Sequence, residues 1–197
     1  GELLQSLHAD GELFRYATWA GMGTEEGPND STPSRRMEPV MLALLTNTRP
    51  LQLGLQNISG YNPLQLKVYS EYLTAANGEV QDYHHADLYP GGFDSPLIDM
   101  LNVQYFLLDA TLDPARPEVQ ALLAQGEEIY RDDLVVIIRN DSAMPRGWIV
   151  HEVRPASDTT LEELASGSVD GRQVAFVEDF TPEMFPLAPA DGAAESV

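Results

Sequence analysis

A single-domain α/β (α+β) fold is the class this sequence predicts: a mixed β-sheet with an antiparallel hairpin and helices packed on it. Three observations lead there. Strand-like and helix-like stretches interleave along the chain instead of segregating. "VQYFLLD" (103–109) is β-branched, aromatic and strand-like. "EEIYRDDLVVIIRN" (127–140) has the form of a hairpin, with Asp132-Asp133 near its turn.

The elements follow in order. Residues 1–10 place Leu3, Leu4 and Leu7 at helical spacing. "LFRYATWA" (13–20) is a strand. "GMGTEEGPNDSTPSRRMEP" (21–39) is a long loop rich in Gly, Pro, Ser and Thr. "VMLALL" (40–45) is a short apolar run that suits either helix or strand. "LQLGLQNIS" (51–59) alternates Leu51, Leu53 and Leu55 with polar or small residues and is expected to be extended.

A helix is then expected with Tyr61 at N′, Asn62 at N-cap, Pro63 at N1, Gln65 at N3 and Leu66 at N4. At ~100° per residue its apolar side chains, from Leu64 to Ala76, sweep about 200° of arc. That breadth predicts a mostly buried face, so "GYNPLQLKVY" (60–69) reads as a structural latch. Gly78 is the expected stop. Residues 78–93 are irregular and aromatic-rich. Ser95 and Pro96 open a short helix, a Pro-bounded helix lies near 117–125, and "GWIVHEV" (147–153) is a strand. "DTTLEELASG" is a short helix with Thr159 and Glu162 at capping-box spacing. "QVAFVED" (173–179) is the last strand. Residues 1–180 thus read as one domain, and 181–197 as a Pro/Ala-rich tail or linker. No internal repeat is visible.

Composition narrows the function. The chain has 197 residues, 31 acids against 11 bases and a net charge of -20. Such a field repels nucleic-acid phosphates and anionic lipid surfaces, so no nucleic-acid partner is expected. Lys67 is the only lysine. With no cysteine, disulfides, thiolate nucleophiles and Cys-based metal sites are excluded. No apolar run reaches the roughly 20 residues that span a bilayer, and no basic leader precedes the first helix. The chain is expected to be either cytosolic or a part of something longer.

Motifs for chemistry are sparse. "DYHHAD" offers Asp82, His84, His85 and Asp87, ligand types that suit a divalent ion. In an extended segment, however, His84 and His85 point to opposite sides. The rival reading built on this cluster is a free-standing, metal-dependent hydrolase. "GMGTEEG" (21–27) is one residue too long for the dinucleotide fingerprint, and its glutamates would repel a pyrophosphate. "GSVDG" (167–171) is no nucleophile elbow. Among so many acids, pairs such as Glu25-Glu26, Asp132-Asp133, Glu162-Glu163 and Glu178-Asp179 single out no catalytic couple. No catalytic residue and no cofactor are assigned. Tyr61, Tyr83, Tyr89, Phe93 and Trp148 cluster near turns, where core and staple packing or a sugar-stacking surface are both open. Arg146, just before a strand, suits an ion pair or carbonyl cap.

Four stretches, "GYNPLQLKVY" (60–69), "SPLIDMLNVQYFLLD" (95–109), "AMPRGWIV" (143–150) and "LEELASGSVDGRQVAFVE" (161–178), come in one order, with "LFRY" (13–16) ahead of them. Together they resemble the extracytoplasmic region of the YfhO-like bacterial membrane proteins. The resemblance implies a chain cut from a polytopic membrane protein that looks like a glycosyltransferase using a lipid-linked sugar. The domain would face the outside of the cell membrane and contact its own transmembrane region, an envelope glycan or the lipid-linked sugar. The catalytic acid would lie outside this chain. The family commonly has arginines where this chain has Val68 and Gln104, whereas Arg15 and Arg146 match it. The binding residues expected on this basis are Arg15, Tyr61, Arg146 and Trp148. The function expected is that of a non-catalytic domain accessory to an envelope glycosyltransferase. A plain protein-interaction module is the third reading.

Overall fold

A computed structural model of the chain describes residues 2–9, 11, 13–21, 39–46, 49–81, 84–179 and 181. Nearly all of the long loop expected at 21–39, and nearly all of the tail at 181–197, lie outside the described residues. The elements run α1 (Glu2–Ala9), β1 (Arg15–Trp19), α2 (Pro39–Ala43), α3 (Arg49–Gln52), β2 (Gly60–Tyr61), α4 (Lys67–Asn77) and β3 (His85–Ala86). A 3₁₀ turn (Pro90–Gly92) follows, and then α5 (Pro96–Met100), β4 (Val103–Asp109), α6 (Pro117–Leu123), β5 (Gly126–Arg131), β6 (Val135–Asn140), β7 (Glu152–Pro155), α7 (Thr160–Ala165) and β8 (Val174–Val177).

The main sheet has the order β1-β4-β6-β5. β1 lies parallel to β4, while β4–β6 and β5–β6 are antiparallel, so the sheet is mixed, with β5–β6 the expected hairpin. Both faces are covered, which is why β4 and β6 carry almost unbroken apolar runs. On one face Ala17, Trp19, Phe106, Leu108, Val136 and Ile138 pack with Leu73, Leu97, Val119, Leu122 and Leu164 of α4–α7. On the other, Tyr16, Tyr105, Leu107, Val135 and Ile137 pack with Leu4 of α1, Met41 of α2 and nearby Leu44. The register shifts where Arg15 faces Val103 but Tyr16 faces Tyr105, leaving Gln104 as the extra residue of a bulge. The bulge resets the alternation, so Val103 joins the same face as Phe106.

Two smaller sheets flank this core: antiparallel β2–β3 and parallel β7–β8. The second pair is joined through α7, a compact βαβ unit, and α7 packs on α4 and α5.

Several local expectations are corrected. The helix expected from Asn62 starts at Lys67. Asn62 Oδ1 instead accepts from Leu64 N at 2.9 Å, an Asx turn that the following Pro63 favours. Asn62 N donates to His84 O, and Gln65 Nε2 reaches His85 O at 3.0 Å rather than the cap. The broad buried face is also narrower: Leu64, Leu66 and Val68 are 85%, 70% and 67% exposed, and Leu73 and Ala76 are the buried apolar residues of α4. Tyr69 is half-buried, and its hydroxyl donates to Ile58 O at 2.7 Å. Gly78 does end α4, at φ 70°.

Residues 49–52 form a helical turn, and of the stretch expected to be extended only its later part is so, with Asn57 bridging Tyr16. The strand expected at 147–153 lies at Glu152–Pro155. Thr159 precedes α7, but its hydroxyl donates to Glu163 Oε1 at 2.8 Å, so the capping box with Glu162 does not form. α5 opens on Ser95 and Pro96 as expected.

Candidate functional site

The βαβ unit and α4 bound an open cleft of about 1340 Å³. One wall is α4, through Val68, Glu71, Tyr72 and Ala75. The opposite wall is Trp148 with α7, residues 156–158 and Phe176 of β8. Met100, Leu164, Gly171 and Val174 lie deeper. Two hydrogen bonds fix the aromatic walls. Tyr72 Oη donates to Leu97 O at 2.6 Å, and Trp148 Nε1 donates to Gly171 O at 2.9 Å. Burial, reinforced by the nearby Tyr69 hydroxyl and Asp99 and opposed by Arg15, raises the Tyr72 phenol above its ordinary value. Tyr72 therefore stays neutral.

The edge of the cleft is acidic. Glu71, Asp158, Glu162 and Glu178 are exposed there, and Glu71 is partly neutralised by Lys67 at 3.1 Å. An apolar, aromatic-walled groove with carboxylates at its edge favours neutral or cationic ligands and opposes anionic ones.

The four residues nominated from sequence fall in three places. Trp148 lines the cleft. Tyr61 stands on β2, half-exposed, with its ring edge-on to His85 at 5.2 Å and to His84 at 6.0 Å between centroids. Arg15 and Arg146 come together at the start of β1: Arg15 Nη1 donates to Leu101 O at 2.9 Å, and Arg146 Nη2 to Phe14 O at 3.3 Å and to Gln56 Oε1 at 2.6 Å. Sequence reasoning missed Tyr72, Phe176 and the residues around α7 as cleft walls. Their signal is the pair of strands around "TLEELA", a βαβ spacing that places one helix over two strands.

The Asp82-His84-His85-Asp87 cluster is described in part, since Asp82 lies outside the described residues. His85 Nδ1 is 3.5 Å from Asp87 Oδ2. His84 adopts φ 68° and meets the Tyr61 ring edge-on. Among the described residues no three His, Asp or Glu side chains gather to hold a metal. Nor, among them, is any helix long and apolar enough to cross a membrane.

Fold and cleft together define a mixed α/β protein with an open groove at the flank of its sheet. No protein-family model, no curated protein and no solved structure matches the chain.

Proposed function

We propose that this chain is a non-catalytic, extracytoplasmic domain of a polytopic bacterial membrane protein, accessory to an envelope glycosyltransferase. In this reading a neutral stretch of acceptor glycan lies in the cleft against Trp148. The cleft is the observation that carries it. Sugar rings present apolar C–H faces and a hydroxyl edge, and here an indole and a phenol ring stand among aliphatic side chains, with hydrogen-bond acceptors at the edge. The cellular setting rests on the motif series from "LFRY" to "LEELASGSVDGRQVAFVE".

The test is titration with neutral oligosaccharides, followed by tryptophan fluorescence in the wild-type chain and by calorimetry in both the wild type and the Trp148→Ala variant. Trp19 is buried on the sheet, so a ligand-dependent change reports Trp148. Saturable binding that Trp148→Ala weakens at least tenfold supports the reading. Equal binding by Trp148→Ala, or none by the wild-type chain, overturns the glycan role.

A second reading, an interaction module, is favoured by one feature. Leu64, Leu66 and Val68 form a run of exposed apolar side chains where the chain enters α4. In the membrane-protein setting that ridge would contact the chain's own transmembrane region. Leu64→Asp/Leu66→Asp in the full-length protein should then lower its assembled yield without unfolding the isolated domain.

A further inference from the structure

Most bases described here are neutralised locally. Lys67, Arg116, Arg131, Arg139 and Arg154 each sit beside a carboxylate at 2.6–3.5 Å. Arg49 and Arg172 form no such ion pair among the described residues, and nor do Arg15 and Arg146, the two that lie together at the start of β1. Neither of these two has a carboxylate partner among the described residues, although the chain carries 31 acids. Their bonds go to neutral acceptors only: Leu101 O, Phe14 O and the Gln56 side chain. A guanidinium has five N–H donors, so several on each side chain remain available.

The two charges also sense one another. Arg146 is held below its ordinary pKa first by burial and then by the charge of Arg15. Among the described residues no carboxylate lies within ion-pair distance of either. The Tyr69 phenol is pushed up to about 12 by burial against the opposing pull of Arg15, so it stays protonated. Asp99, which shares Tyr72 as a neighbour with Arg15, takes its hydrogen bond from Asn140 and its nearest cationic influence from Arg172.

Like charges held side by side, anchored through neutral carbonyls and left with free donors, are the arrangement an incoming oxyanion needs. We propose that Arg15 and Arg146 form a phosphate-binding site at the start of β1. A phosphate carries more negative charge and more acceptor oxygens than a carboxylate, so it can meet both guanidinium forks at once. The anchors hold both side chains before the ligand arrives, which lowers the entropy lost on binding. The site is separate from the cleft. Arg146 turns toward β1, while Trp148, two residues on, turns toward Gly171.

The experiment titrates the whole domain with inorganic phosphate at fixed pH and ionic strength, reading the arginine Nε–H resonances and the thermal midpoint. Saturable shifts at Arg15 and Arg146, with a dissociation constant of about 1 mM, are expected. Arg146→Gln should weaken binding at least tenfold in a domain that still unfolds in one cooperative transition, with a midpoint lowered only by the loss of its bonds to Phe14 O and Gln56. Arg146→Lys, which keeps the charge but loses the fork, should fall between. Phosphatidylglycerol vesicles form the second arm. Retention that Arg146→Gln abolishes assigns a lipid headgroup as the source, and binding of free phosphate without retention assigns a soluble one. Wild-type indifference to both probes, or binding equal in Arg146→Gln, overturns the site. Trp148→Ala should leave phosphate binding intact, so failure of the glycan reading is distinguishable from failure of this one.

Discussion

Asn140 Nδ2 donates to Asp99 Oδ1 at 2.8 Å, tying the last residue of β6 to α5. The same amide group donates to Val103 O at 2.9 Å, and Asn140 Oδ1 accepts from Ser142 N at 3.0 Å. One buried side chain therefore joins α5, the start of β4 and the turn after β6. Asn140→Ala leaves a buried carbonyl without its donor, at about 1–3 kcal/mol. For a chain of this size that lowers the thermal midpoint by about 2–4 °C per kcal/mol. A calorimetric scan checks it, and an unchanged midpoint would contradict the linkage.

Asp99 carries a pH signature. Burial, the largest influence, raises its pKa, the Asn140 hydrogen bond and Arg172 oppose the rise, and Asp94 adds to it. With the folded pKa above the unfolded value of about 3.9, the native state binds the extra proton between the two. The stability contribution of Asp99 is therefore most favourable below the unfolded pKa. It declines as pH rises toward and through the raised folded value, then stays flat. Asp99→Asn keeps an oxygen acceptor for Asn140 and removes the charge. Urea midpoints of the two proteins should differ little below the unfolded pKa, increasingly favour Asp99→Asn as pH rises through the raised folded value, and keep a constant difference above it. A constant offset at every pH would show that the carboxylate is not the titrating cause.

The sheet was largely legible because its strands declare themselves locally. "VQYFLLD" and "VVIIRN" are apolar enough to be buried on both faces, and Asp132 does close the hairpin, accepting from Leu134 N and Val135 N at 2.8 Å. The Ser95-Pro96 start of α5 was legible for the same reason. What failed depended on partners distant in sequence. Asn62 and Pro63 have the composition of a helix start, but β3 pairs with residues 60–62 and holds that segment extended, so the helix waits until Lys67. Trp148 was nominated as an aromatic near a turn. Its cleft was not visible, because Tyr72 and Phe176 meet it only through the packing of α4 beside the βαβ unit. Arg15 and Arg146 were named together only because both match the resembled family, and the fold shows them to be neighbours.

Asn77, the last residue of α4, is buried and pins the loop that follows β3. Its Nδ2 donates to Asp87 O at 2.8 Å, and its Oδ1 accepts from Tyr89 N at 2.9 Å. Asn77→Ala removes both at once and orphans a buried donor, costing about 2 kcal/mol or more. Asn77→Asp keeps the Tyr89 bond but sets a carboxylate against Asp87 O. Hydrogen exchange at Tyr89 N–H should accelerate sharply in Asn77→Ala and less in Asn77→Asp. Equal protection in all three proteins would exclude the pin.

The run Leu64, Leu66 and Val68 gives a contrast between surface and core. All three are exposed, so Leu66→Ser and Val68→Ser should change stability by no more than about 0.5 kcal/mol. Leu73→Ala, fully buried on α4, should cost about 2–5 kcal/mol. Chemical denaturation of the three variants decides it. Losses at Leu66 comparable to that at Leu73 would restore the buried-latch reading of "GYNPLQLKVY".

Gly171 sits at the base of the cleft, where its carbonyl receives the Trp148 indole N–H. A methyl group added there would meet Met100 Sδ at 2.7 Å and Met100 Cε at 2.9 Å, closer than such atoms approach, so something must move. Met100 is unbranched and half-buried, so its thioether is the part able to yield. Gly171→Ala should then cost about 1–3 kcal/mol as an overpacked site and push Met100 toward the cleft. The clash is specific to one pair, so it has a specific signature. Met100→Ala alone loses packing, yet in its presence Gly171→Ala should cost about 1 kcal/mol less than in the wild-type background, a favourable coupling in a double-mutant cycle. Trp148 fluorescence should shift in Gly171→Ala and return toward the wild-type spectrum in the double variant. Additive losses with no spectral recovery would mean that the backbone at Gly171, not the Met100 side chain, absorbs the added methyl.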